Sequence, residues 1–138
     1  MLTSQIFQAW GKILKGEPPA NTPAIPPGAT KVSTVSAVSK RGSAAFTVPF
    51  NAPSPLPAGD PGIIVRLPDG SFVAYDAVCT HEGCTVEWDK PDGVLFCPCH
   101  GAQFNTSGQV LRGPARRPLS PVAVVVGPDG GVYLPPGA

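Results

Sequence analysis

All four cysteines and both histidines of this chain fall in two short stretches, Cys79-Thr-His81-Glu-Gly-Cys84 and Cys97-Pro-Cys99-His100-Gly. No other feature constrains the fold as tightly. Two thiols and two imidazoles at matched offsets make a metal site, because soft sulfur and borderline nitrogen donors together suit zinc or iron. A structural zinc ion accepts the same donor set. However, a Cys-x-His hook is tighter than the hooks usual in zinc fingers, and zinc leaves Cys84 and Cys99 without a role.

Charge and composition narrow the remaining possibilities. Ten basic residues nearly balance nine acidic ones, and charged residues make up only 14% of the chain, which argues against a nucleic-acid partner. The 19 prolines and 16 glycines reach a level that elsewhere signals disorder. Here 42% of the residues are hydrophobic, and the prolines fall largely in one tail and in turns. The composition therefore fits a loop-rich, all-β protein of 138 residues with a single core and no internal repeat.

Residues 1–15 carry Leu2, Ile6, Trp10 and Ile13 or Leu14 at near-helical spacing, with Thr3 or Ser4 as a cap. They predict a short amphipathic helix whose apolar face packs on the domain, on a partner or on a membrane surface. The segment is too short and polar to span a bilayer, and it lacks the basic and apolar regions of a signal peptide. Residues 16–29, rich in proline, read as a semi-rigid extended linker.

From Lys31 onward, Val32, Thr34, Ser36 and Val38 alternate with their neighbours as in a strand, and Ala45 to Val48 continue in strand-forming types. Gly62–Leu67 and Ser71–Tyr75 flank a Pro-Asp-Gly turn and predict a hairpin that delivers the chain to Cys79. Glu87–Trp88 with Val94–Phe96, and Gln103–Phe104 with Val110–Leu111, predict two more hairpins. Val122 to Val126 and Val132 to Leu134 close the sheet.

The two Cys/His stretches resemble the halves of the Rieske 2Fe-2S motif, in its disulfide-containing, high-potential branch. The resemblance is strong over residues 76–118 and includes Gly113-Pro114-Ala115, which stands where those proteins carry a proline loop over the cluster. It implies one 2Fe-2S cluster, with Cys79 and Cys97 on the inner iron and His81 and His100 on the outer, solvent-facing one. It also implies a disulfide between Cys84 and Cys99, two free thiols being the alternative, and an extracytoplasmic setting where such a bond persists. Gly83, Gly101, Ala102, Phe104, Gly113 and Pro114 would form the cluster environment. Ala102 and Phe104 depart from the pattern, since relatives often place a serine and a tyrosine there.

The implied fold is a small cluster-binding subdomain on an antiparallel β-sandwich base, the whole domain covering residues 30–138. Two thiolates and two neutral imidazoles give an oxidised cluster site a net charge near zero, so adding an electron costs less than it does with four thiolates. The implied function is one-electron transfer without independent catalysis. The chain would be the soluble part of a longer, membrane-associated protein in a quinol-oxidising respiratory complex that passes electrons to a cytochrome. The small subunit of an arsenite-oxidase-type molybdoenzyme and a soluble Rieske ferredoxin are the alternatives. Arg112, Arg116 and Arg117 make the rim of the proline loop basic, either to steer an acidic partner or simply as solvated charges.

Overall fold

The computed structural model describes residues 25–50, 56–80 and 83–136. The expected helix over 1–15, most of the expected linker over 16–29, and His81 lie outside the described residues. The chain runs β1 (Thr30–Thr34), α1 (Val35–Arg41), β2 (Ser43–Thr47), β3 (Pro61–Arg66), β4 (Phe72–Asp76), β5 (Glu87–Asp89), β6 (Val94–Phe96), β7 (Gln103–Phe104), β8 (Val110–Arg112), β9 (Pro121–Val122), β10 (Val125–Val126) and β11 (Gly131–Leu134). All paired strands are antiparallel. They form a central sheet of order β2-β3-β4-β9, a sheet of order β1-β11-β10 and a sheet of order β5-β6-β7-β8.

The central sheet has a core on each face. Successive side chains of a strand point to opposite faces, so Ile63, Val65 and Tyr75 enter a core shared with Cys79, Leu95, Cys97 and Phe104. Ile64 and Ala74 enter a second core with Val35, Val38, Phe46, Val132 and Leu134. The registers Ile63↔Tyr75 and Ile64↔Ala74 keep each face consistent across β3 and β4. Burial on both faces explains why Ile63, Ile64 and Val65 read as a continuous apolar run. Gly62 pairs with Phe46, and a Cβ at Gly62 would collide with the Phe46 ring. The glycine thus lets that ring lie across the strand.

The turns are built as their residues demand. Asp69 Oδ1 accepts hydrogen bonds from Ser71 N at 2.9 Å and from Ser71 Oγ at 2.6 Å, and Gly70 takes a φ of 88° that suits glycine. Between β7 and β8, Asn105 Oδ1 accepts from Ser107 N at 2.9 Å and from Gln109 N at 3.0 Å. Tyr75 Oη donates to Thr106 O at 2.8 Å and fastens that turn to the central sheet.

Two local expectations are corrected. Residues 35–41 form a helix rather than continuing the strand, because their buried residues, Val35 and Val38, recur at a spacing of three. Thr34 Oγ1 caps the helix by accepting from Ala37 N at 3.1 Å, Lys40 and Arg41 lie in its last turn, and Gly42 closes it in the left-handed region. The stretch Val122 to Val126 is two strands in two sheets, β9 beside β4 and β10 beside β11. Just before β1, Ala29 N donates to Pro26 O at 3.1 Å and closes a turn.

Candidate metal centre

The two cysteine-bearing loops are built alike. In the first, Cys79 N donates to Cys84 O at 2.6 Å and Gly83 N donates to Cys79 O at 3.0 Å. In the second, Cys97 N donates to Ala102 O at 2.8 Å and Gly101 N donates to Cys97 O at 2.9 Å. Each loop therefore closes on itself with the same pair of bonds at the same offsets. Gly83 and Gly101 share a φ of +79°, a conformation that any side chain would strain. The first loop follows β4 and is squared off by the bridge Val78↔Thr85, and the second joins β6 to β7.

The loops bring Cys79 and Cys97 together as free, buried thiols close enough to hydrogen-bond to each other. Burial pushes the Cys97 thiol up, and the neighbouring Cys79 adds to the effect. The amides of Cys99 and His100 point at the Cys97 sulfur and oppose it. Two thiols packed in an apolar core, with amides already aimed at one sulfur, suit a soft or borderline cation that replaces their protons. His100 sits exposed near the end of the second loop, and its expected counterpart His81 lies outside the described residues. Ala102 and Phe104 are buried in the core that holds both cysteines.

Cys84 and Cys99 are joined by a disulfide with an S–S distance of 1.99 Å, which crosslinks the two loops. The sulfurs of Cys84, Cys97 and Cys99 all lie within 4.8 Å of one another. Because two of them are bonded together, only Cys97 of this trio is a free thiol. The proline loop closes over the same region. Its Gly113–Pro114 peptide is cis, both residues are exposed, and Ala115 and Leu119 are buried in the cysteine-bearing core. Thr80 Oγ1 donates to Arg117 O at 2.7 Å, and the Arg117 guanidinium donates back to Thr80 O at 3.3 Å. Arg117 thus ties the proline loop to the first cysteine loop, whereas the sequence suggested only a basic rim.

Asp76 was not legible as part of this region. Its side chain is buried at the entrance to the first loop, where Oδ1 accepts from Val78 N at 2.8 Å. Its pKa is raised to about 6, first by burial and then by a hydrogen bond shared with the Asp60 carboxyl and the charge of that group, while the Val78 amide opposes. The partner lies on a different loop, so only the acid at the end of an apolar strand could have drawn attention. Trp88 on β5 was likewise missed. Its buried indole Nε1 has no hydrogen-bond partner among the described residues, and it lies 3.3 Å from where a Cβ on Gly42 would sit.

A central antiparallel sheet with a core on each face, and two crosslinked loops closing on a buried pair of thiols, define a small metal-binding protein of the β-sandwich class. The Rieske [2Fe-2S] domain matches residues 48–125. The chain belongs to this family, whose domain binds one Rieske 2Fe-2S cluster.

Among its relatives, the chloroplastic cytochrome b6-f complex iron-sulfur subunit of Fritillaria agrestis is 52% identical over 64 residues, 45% of this chain and 27% of that protein. The cytochrome b6-f complex iron-sulfur subunit of Synechococcus sp. (strain JA-3-3Ab) is 43% identical over 79 residues, 56% of this chain and 45% of the relative. The matched segment thus spans less than half the length of these relatives. The plasma membrane Rieske protein PetC3 of Synechocystis PCC 6803 superposes with a TM-score of 0.64 at 32% identity, covering 76% of this chain and 97% of that one. The ferredoxin of carbazole 1,9a-dioxygenase from Nocardioides aromaticivorans, at 22% identity and a TM-score of 0.60, shares the fold.

Proposed function

We propose that Cys79 and Cys97 ligate one iron of the cluster and His81 and His100 the other, and that the domain serves a quinol-oxidising membrane complex, passing electrons to a cytochrome on the extracytoplasmic side. The observation that carries this reading is the convergence of two identically bonded loops on the buried Cys79–Cys97 pair, with His100 exposed beyond it. The cytochrome b6-f subunits among the relatives support the membrane complex. The Cys84–Cys99 bridge supports a compartment where disulfides persist.

Bound between the loops, the 2Fe-2S group supplies a one-electron couple. The protein supplies the conditions for its use. The apolar core around Cys79 and Cys97 excludes water and keeps the local dielectric low, which magnifies any difference in site charge. The amides of Cys99 and His100 aimed at Cys97 stabilise negative charge on sulfur. His100, being exposed, can present its non-ligating ring nitrogen to a partner and hold a proton there, so that electron and proton uptake from a quinol are linked. The tie between Thr80 and Arg117 holds the proline loop against the first ligand loop and keeps one side of the centre closed.

The test is the midpoint potential as a function of pH. The reading predicts a midpoint that is flat near neutrality and falls in the alkaline range, approaching about 59 mV per pH unit for each coupled proton. A midpoint constant through the alkaline range contradicts a proton-coupled quinol partner.

A further inference from the structure

We propose that Cys84, Cys97 and Cys99 form a second, soft-metal thiolate site once their disulfide is reduced, and that the Cys84–Cys99 bridge keeps this site closed so that Cys97 stays available to the cluster. The inference rests on the reading of Cys97 as a cluster ligand.

The geometry is already close to a metal site. The three sulfurs lie within 4.8 Å of one another, while a tetrahedral ion with sulfur at about 2.3 Å needs its sulfurs about 3.8 Å apart. Reduction lets the Cys84 and Cys99 sulfurs separate from their bonded 1.99 Å, and side-chain rotations bring the three to that spacing. Each loop is closed by its own paired bonds, Cys79 N to Cys84 O with Gly83 N to Cys79 O, and Cys97 N to Ala102 O with Gly101 N to Cys97 O, so each keeps its own turn when the bridge is reduced. Cys79, in hydrogen-bond contact with Cys97, stands next in line for the fourth position. Cys97 is buried, Cys84 half-buried and Cys99 exposed, which gives an ion an entry from solvent at the Cys99 side. No cysteine of the chain lies elsewhere.

The chemistry balances. A dithiol reductant gives two electrons and two protons to the Cys84–Cys99 bond and leaves as its own cyclic disulfide. A divalent soft cation then displaces the protons of the thiols that it binds. Thiolate sulfur selects zinc or cadmium over hard cations. Cys97 cannot serve both centres, so loading this site and building the cluster exclude one another. In the oxidised chain the competing site does not exist, because two of its three donors are spent on each other.

The full chain, freed of iron, is to be prepared oxidised and dithiothreitol-reduced and titrated with Cd²⁺ alone. Sulfur-to-cadmium charge-transfer absorbance and the number of thiols shielded from alkylation, counted by mass spectrometry, are the readouts. The expected result is at least three shielded thiols per ion in the reduced chain, against at most two in the oxidised chain and in the reduced Cys84→Ser/Cys99→Ser variant. Two or fewer shielded thiols in the reduced chain, or equal counts in the reduced and oxidised chains, overturn the proposal. The oxidised arm needs no substitution, so a variant that does not fold cannot obscure the result. Failure of the oxidised chain to take up a cluster would instead count against the ligand reading itself, whatever the cadmium count.

Discussion

Ala102 and Phe104 set this chain apart from its pattern at the level of single side chains. Both are buried in the core with Cys79 and Cys97, and neither carries a hydroxyl that could donate to a cluster or ligand sulfur. Such a donor stabilises the reduced, more negative state. If each contributes about 1 kcal/mol, as a typical net hydrogen bond does, its absence lowers the one-electron potential by about 40 mV. Ala102→Ser and Phe104→Tyr are therefore each expected to raise the midpoint by about 40 mV, as measured by protein-film voltammetry. An unchanged midpoint in both variants would mean that backbone amides such as those of Cys99 and His100 dominate. At this scale the Cys84–Cys99 bridge and the buried, free Cys79 and Cys97 match the sequence reading, because few residue types bind soft metals. The Asp60–Asp76 pair was not, because nothing local in the chain announces a contact between a loop before β3 and the end of β4.

Elements were legible where turn chemistry and side-chain period agreed. The β3–β4, β5–β6 and β7–β8 hairpins stand where Pro-Asp-Gly, Lys-Pro-Asp-Gly and Asn-Thr-Ser-Gly turns put them. The helix α1 was misread because over seven residues a period of two (Val32, Thr34, Ser36, Val38) and a spacing of three (Val32, Val35, Val38) both fit, and the Thr34 cap and Gly42 stop decide between them. The split of Val122 to Val126 was hidden because a strand that changes sheets keeps its apolar composition. Two substitutions test these elements. Thr34→Ala removes the bond to Ala37 N and is expected to cost about 1 kcal/mol in urea unfolding. Gly108→Ala places a Cβ 2.7 Å from the Tyr75 ring at a φ of +81° and is expected to cost about 2 kcal/mol, loosening the β7–β8 turn from the central sheet.

At the scale of the molecule, one sheet serves two cores, so whatever perturbs the ends of β3 and β4 reaches the cysteine loops. Asp76 stands at that junction, between the pairing of β4 and the amide of Val78. Its pKa is raised from 3.8 to about 6 in the folded chain, first by burial and then by Asp60. The folded state therefore holds a proton that the unfolded state has released between those values. Stability from this group is fully present below about pH 4 and is lost as pH rises through about 6. Urea unfolding of the oxidised, cluster-loaded protein between pH 4 and pH 7 is expected to show that decline. In Asp76→Asn, which keeps an acceptor for Val78 N, the decline should be absent. This dependence belongs to the packed fold and has no counterpart in the sequence pattern.

The central claim is that the two loops hold paired irons with mixed sulfur and nitrogen coordination. Electron paramagnetic resonance of the dithionite-reduced protein at low temperature tests it most directly. The account predicts an anisotropic signal whose average g lies below the free-electron value, lost in Cys97→Ser and His100→Ala. A reduced, iron-loaded protein without that signal, or one that keeps it unchanged in both variants, would contradict the account.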